Sequence, residues 1–158
     1  MRTSLGVALV GGLLAAACGG PQPPPFKPMT DNKLLMDAVI EPAADRIWES
    51  VGWVITVDGE QEIQPQNDEE WHEIRNAAIT VAESGNLLMM VPRAKDSDEW
   101  MRIATGMIDT GRKLAEAADR KDKKALFDVG GDLYSVCSNC HMKYSPEVAR
   151  VSGGPASN

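Results

Sequence analysis

Between Asp31 and Tyr144 the apolar residues recur at alternating steps of three and four. That rhythm places them along one stripe of an α-helix, and a helix with one greasy stripe must bury it against a neighbour. Four such segments are legible. The first, about 31–57, aligns Met36, Ile40, Ala43, Ile47 and Val54, with Trp48 and Val51 beside them. The second, about 68–90, aligns Trp71, Ile74, Ala78, Val81, Gly85 and Leu88. The third, about 97–118, aligns Trp100, Ala104, Met107, Gly111, Leu114 and Ala118. The fourth, about 122–144, aligns Leu126, Gly130, Leu133, Cys137, Cys140 with His141, and Tyr144. No stretch sustains a period-two alternation. The pattern predicts an all-α fold, an up-down-up-down four-helix bundle.

Punctuation fits that division. Pro42 removes a backbone donor inside the first segment, so a kink or a fresh start is expected near Glu41. Asp58-Gly59 and Pro65 mark a polar connection. Pro92 closes the second segment, and Asp96 with Glu99 resembles a capping box opening the third. Asp122 is a plausible N-cap for the fourth, and Pro146 ends it. The 43% hydrophobic content, with only two Phe and two Tyr, suits one ordinary helical domain.

The first residues belong to export rather than to the fold. "MRTSLGVALVGGLLAAAC" carries an early Arg2, an apolar run from Leu5 to Leu14, and then small residues, too short and Gly-rich for a membrane span. The run Leu14-Ala15-Ala16-Ala17-Cys18 resembles a bacterial lipoprotein signal, which implies cleavage after residue 17 and acylation of Cys18. "GGPQPPPFKP" then reads as a semi-extended tether over residues 18–30. Gly19 resembles the residue that follows the lipidated cysteine in outer-membrane lipoproteins, so the expected location is the periplasm, on a lipid anchor in the outer membrane. Residues 31–145 form the expected helical domain and 146–158 a tail. A formal charge of −7 argues against nucleic acid and favours a partner with a basic docking face.

Cys137, Cys140 and His141 hold most of the chain's sparse thiol and imidazole chemistry in the run "VCSNCH". A redox dithiol belongs at a helix start, where the dipole lowers the thiol pKa, whereas this pair ends a helix. Zinc wants four ligands, and only three lie close in sequence. Cys-x-x-Cys-His on one helix face instead suits one covalent haem c, with thioethers from Cys137 and Cys140 and an imidazole–iron bond from His141.

A four-helix bundle ending in "CSNCHMKY" resembles the cytochrome c-prime family, with Ser145 standing where that family often carries a basic residue. The resemblance implies a C-terminal haem-attachment helix and a distal residue from the first helix, which would be Met36. Up-down-up-down topology brings Met36, Met89, Met90, Trp100 and Met101 to the haem end. It leaves His72 roughly 25 Å away at the other end. Leu35, Ile40, Trp100 and Tyr144 are the expected pocket lining. The leading functional expectation is a non-enzymatic electron carrier with a redox partner protein. The alternatives are a five-coordinate protein binding NO or CO, and a haem-free lipoprotein interaction module with a Cys137–Cys140 disulfide. Relatives of such a fold often pair through helix faces, so a homodimer is a further expectation.

Overall fold

The computed structural model describes residues 26–147. The expected signal (1–17), the lipidation site Cys18, and most of the tether and tail lie outside the described residues. The first rod is built from α1 (Asn32–Leu35), a π-helical turn over Met36–Ile40, and α2 (Glu41–Trp48). Asp31 caps its start by accepting from the Leu34 N–H at 2.9 Å. Pro42 explains the wide turn. It has no N–H to offer the preceding turn, and the Glu41 N–H reaches back five residues to the Met36 carbonyl. The rod therefore continues past the proline instead of restarting.

The rod ends well before residue 57. Gly52 has φ +155, which a residue with a side chain rarely adopts, and the chain leaves the helix there. Strands β1 (Gly52–Thr56) and β2 (Gly59–Ile63) follow as an antiparallel hairpin, with Trp53 opposite Glu62 and Ile55 opposite Glu60. Val57-Asp58 turns the corner, and Gly59 takes the second positive φ, +137. This overturns the all-α expectation. The fold is helices plus a two-stranded antiparallel sheet between the first rod and the next helix. The hairpin eluded the periodicity because both its faces are largely exposed, so no core imposed an alternation on it.

Three long helices complete the chain: α3 (Asp68–Met89), α4 (Glu99–Asp119) and α5 (Lys123–Tyr144). Asn67 and Glu70 cap α3 reciprocally; Asn67 Oδ1 accepts from the Glu70 N–H at 3.0 Å, and Glu70 Oε2 accepts from the Gln66 N–H at 2.7 Å. The expected box at α4 is only half made. Asp96 Oδ1 accepts from the N–H groups of Asp98 and Trp100 at 3.0 and 2.9 Å, but Glu99 pairs with Arg102 instead of reaching back. Asp122 caps α5, accepting from the Ala125 N–H at 2.9 Å. Between α4 and α5, Lys121 sits at φ +53, while its N–H and that of Asp122 bond the Ala118 and Ala117 carbonyls in a Schellman turn.

The core runs along the seam the periodicity marked, with Ile47, Ile74, Val81, Leu114, Leu126 and Leu133 fully buried. Each contributes roughly 1.5–3 kcal/mol of transfer free energy. Helices α3 and α4 form the most intimate pair. A Cβ placed on Gly111 would lie 2.7 Å from the Ala82 nitrogen, and one on Gly85 would lie 2.8 Å from the Ala104 carbonyl oxygen. The two glycines let the backbones touch. α5 packs chiefly on α4 and only lightly on α2. That unequal embrace leaves a channel between α2 and α5.

Candidate functional site

The end of α5 carries the residues the sequence singled out. Cys137 and Cys140 are free thiols, half-buried and packed against the hydrophobic core. Burial pushes the Cys137 thiol up to about 11, with Cys140 beside it adding to the rise, and burial also raises Cys140. His141 is half-buried on the last turn of the helix. Tyr144 meets the Trp100 ring edge-on at 5.0 Å and 79°, and its hydroxyl donates to Asp96 Oδ2. Partial burial and that carboxylate raise Tyr144 to about 12. The Tyr144 hydroxyl and the N–H groups of Trp100 and Asp98 hold Asp96 below the ordinary carboxylate value. The indole of Trp100 donates to the Leu88 carbonyl at 2.8 Å. Leu35 and Ile40 are core residues, 2% and 4% exposed, and Met36 is half-buried in the π turn.

These positions overturn the expected haem c centre. Among the described residues no group of three or more His, Cys, Asp or Glu side chains is placed to hold a metal. The lining expected around the tetrapyrrole is committed to packing, with Leu35, Ile40 and Trp100 closing on the core and Tyr144 tied to Asp96. Cys137, Cys140 and His141 line neither the recess bordered by Trp48 and Tyr134 nor the one bordered by Glu49 and Ile63. The electron-carrier reading and the NO- or CO-binding alternative go with it. So does the resemblance to the cytochrome c-prime family, since the hairpin also departs from a pure bundle. The Cys137–Cys140 disulfide of the third reading is not formed.

The remaining side chains of interest have definite places. His72 lies near the start of α3, at the end of the molecule opposite Tyr144. Trp48, Trp71 and Trp100 act as packing anchors, and Met142 points outward. The first rod meets α5 at Gly130, whose carbonyl accepts from the Trp48 indole at 2.9 Å.

That contact opens onto the feature the sequence did not announce. Between α2 and α5 lies an apolar groove of about 250 Å³, floored by Ile47 and Leu126 and walled by Trp48, Val51, Phe127 and Tyr134. Two causes keep it open. The Trp48–Gly130 bond sets the spacing of the helices, and the Gly130-Gly131 pair supplies no side chain to fill the gap. Tyr134 meets Trp48 edge-on at 6.1 Å, and Phe127 meets Trp53 of the hairpin at 5.3 Å, so aromatic surface continues from groove to sheet. Trp53 is 52% exposed, Ile55 77%, and Val57 fully so. A Lys123 ammonium holding Glu62 at 2.6 Å and Gln64 at 3.0 Å fixes the hairpin beside α5. The available signals were Asp58-Gly59, a hairpin dipeptide, and Phe127, Gly131 and Tyr134, which share one face of α5 off the buried stripe.

Comparison with family models, with curated proteins and with solved structures finds no match to the chain.

Proposed function

We propose that the chain is a membrane-tethered interaction module, exported and held by lipid on Cys18, that binds another protein through the groove between α2 and α5 and the adjoining hairpin face. The observation that carries this reading is the groove itself. Monomeric proteins seldom leave contiguous aromatic and aliphatic surface uncovered, and a concave apolar recess is the usual form of a binding site. Its role is binding and not catalysis. The exported location rests on the signal-like N-terminal residues, and no helix among the described residues is long and apolar enough to cross a membrane.

The tether suits the same reading. Residues 18–30 would reach roughly 40 Å if extended at ~3.1 Å per residue. They lead to Thr30, whose carbonyl and hydroxyl are held by the buried Arg93 guanidinium at 3.2 and 3.1 Å, beyond the C-terminal end of α3. The hairpin lies at the other end of the rod, so its apolar face would stand away from the bilayer.

In-cell photo-crosslinking tests the proposal. A benzophenone side chain replacing Tyr134 should give discrete adducts in the membrane fraction, and one replacing Glu83 on the exposed side of α3 should give none. Cys18→Ala should release the chain from that fraction. Equal adducts from both positions, or none from Tyr134, would defeat the reading.

A further inference from the structure

We infer that the chain pairs with a second copy of itself by joining strand β1 to strand β1, edge to edge and antiparallel, so that the two hairpins make one four-stranded sheet. This goes beyond the interaction reading above and stands or falls without it.

The hairpin has two open edges, because its sheet holds β1 and β2 alone. Thr56 and Gly59 flank a two-residue turn and form a hydrogen-bonded pair, and so do Val54 and Gln61 two residues on. Alternation then turns the main-chain N–H and C=O groups of Trp53 and Ile55 away from β2, and among the described residues they meet no partner. No helix runs along β1, and every residue from Trp53 to Val57 is exposed. Natural sheets ordinarily guard such an edge with Lys, Pro or a bulge. β1 has none of these; its five residues carry no charge, and its register with β2 runs unbroken.

Charge selects the occupant. At −7 overall, two copies repel unless they meet where charge is absent. β1 is such a place. A two-fold axis through Val54 sets it against the partner's Val54, Trp53 against the partner's Ile55, and Gly52 against the partner's Thr56. No like charges are opposed. The outward groups of Trp53 and Ile55 complete the ladder, and an indole packs beside an isoleucine on each side of the axis. The outer edge of β2 behaves in the opposite way. Its outward residues are Glu60 and Glu62, and the equivalent pairing about Gln61 would set Glu60 against the partner's Glu62. Once β1 is used, only these repelling edges remain, so assembly closes at two copies instead of growing into a fibre. Joining one short strand buries less than the ~1,200–2,000 Å² of a standard interface, so the dimer forms at micromolar concentrations and above.

Sedimentation equilibrium of the full chain carrying Cys18→Ala should show a mass that rises with concentration to twice the monomer's and no further. Val54→Lys, which opposes two ammonium groups across the axis, should weaken pairing at least ~10-fold, as should Val54→Glu. Mixing those two variants should restore dimers, since lysine then faces glutamate, a rescue that only an axis through Val54 predicts. Ile55→Pro removes an outward N–H without touching the inner ladder, and should weaken pairing while the circular dichroism is kept. A chain that is monomeric at every concentration, a dimer indifferent to Val54→Lys, or open-ended assemblies would overturn the inference. In cells, a benzophenone side chain replacing Val57, which is fully exposed at the hairpin tip, should give adducts of twice the monomer's mass. Adducts of other masses alone would assign the edge to a different protein, and that also overturns it.

Discussion

Cys137 and Cys140 show how far a residue's chemistry depends on what surrounds it. Adjacent in helical space and close to an imidazole, they have the composition of a reactive site. Their environment disfavours the thiolate form. A thiol held at about 11 carries little thiolate at neutral pH, and the C-terminal end of α5 offers no compensating positive dipole. In a Cys18→Ser chain, reaction with Ellman's reagent at mildly alkaline pH should run about a hundred-fold slower than in the same chain unfolded by guanidinium. The linkage has a definite sign. The folded state favours the protonated thiol, so this contribution is whole below the ordinary thiol value of 9.0 and is lost as pH rises towards about 11. Thiols that react at the unfolded rate while the circular dichroism stays native would contradict the packing described for this end. Cysteine and histidine spacing was fully legible in the chain. Their burial was not, because Leu35, Ile40 and Trp100 close on the core from distant parts of the sequence.

Elements are set by where side chains are missing as much as by where they are large. Gly85, Gly111, Gly130 and Gly131 all lie inside helices, yet they do different work. Gly111 sits against the backbone of α3, so Gly111→Ala should cost about 1–3 kcal/mol by forcing α3 and α4 apart. Gly131 faces open space, so Gly131→Ala should add about 0.5–1 kcal/mol by removing backbone freedom from the unfolded chain. Urea titration of the two variants measures both signs, and a matching change in both would refute the assignment. The stripe of the sequence already carried Gly85, Gly111 and Gly130, because a seam glycine keeps the helical phase. Gly131 falls off that stripe, and its meaning came only when α2 was seen across from it. The first rod was misjudged for a related reason. Trp53-Val54-Ile55 continues the apolar character of the helix, but Gly52 turns the chain out of it, and periodicity carries no information about φ.

At the scale of the molecule, the helices and the hairpin contribute unequally. The helical core holds the fully buried residues, whereas the hairpin is tied down by one edge-on aromatic pair and one exposed ion pair, contacts worth about 1 kcal/mol each or less. Replacing residues 52–63 by a Gly/Ser linker should therefore leave the helical unfolding cooperative and within about 1 kcal/mol of the parent, since loop closure depends weakly on length. Loss of a single cooperative transition by circular dichroism would show that the hairpin is part of the core. Four amphipathic segments, the cap at Asp122, and the line of buried Ile, Leu and Val residues were determined by the sequence alone, because helical periodicity and capping are local rules acting within a few residues. Tertiary structure alone decided that the thiols are half-buried against the core, that the rod passes through a π turn before Pro42 and then yields to strands, and that α5 leans on α4 rather than α2. Those outcomes depend on which surfaces meet across the fold, and a groove is the space left where two helices are held together without being filled.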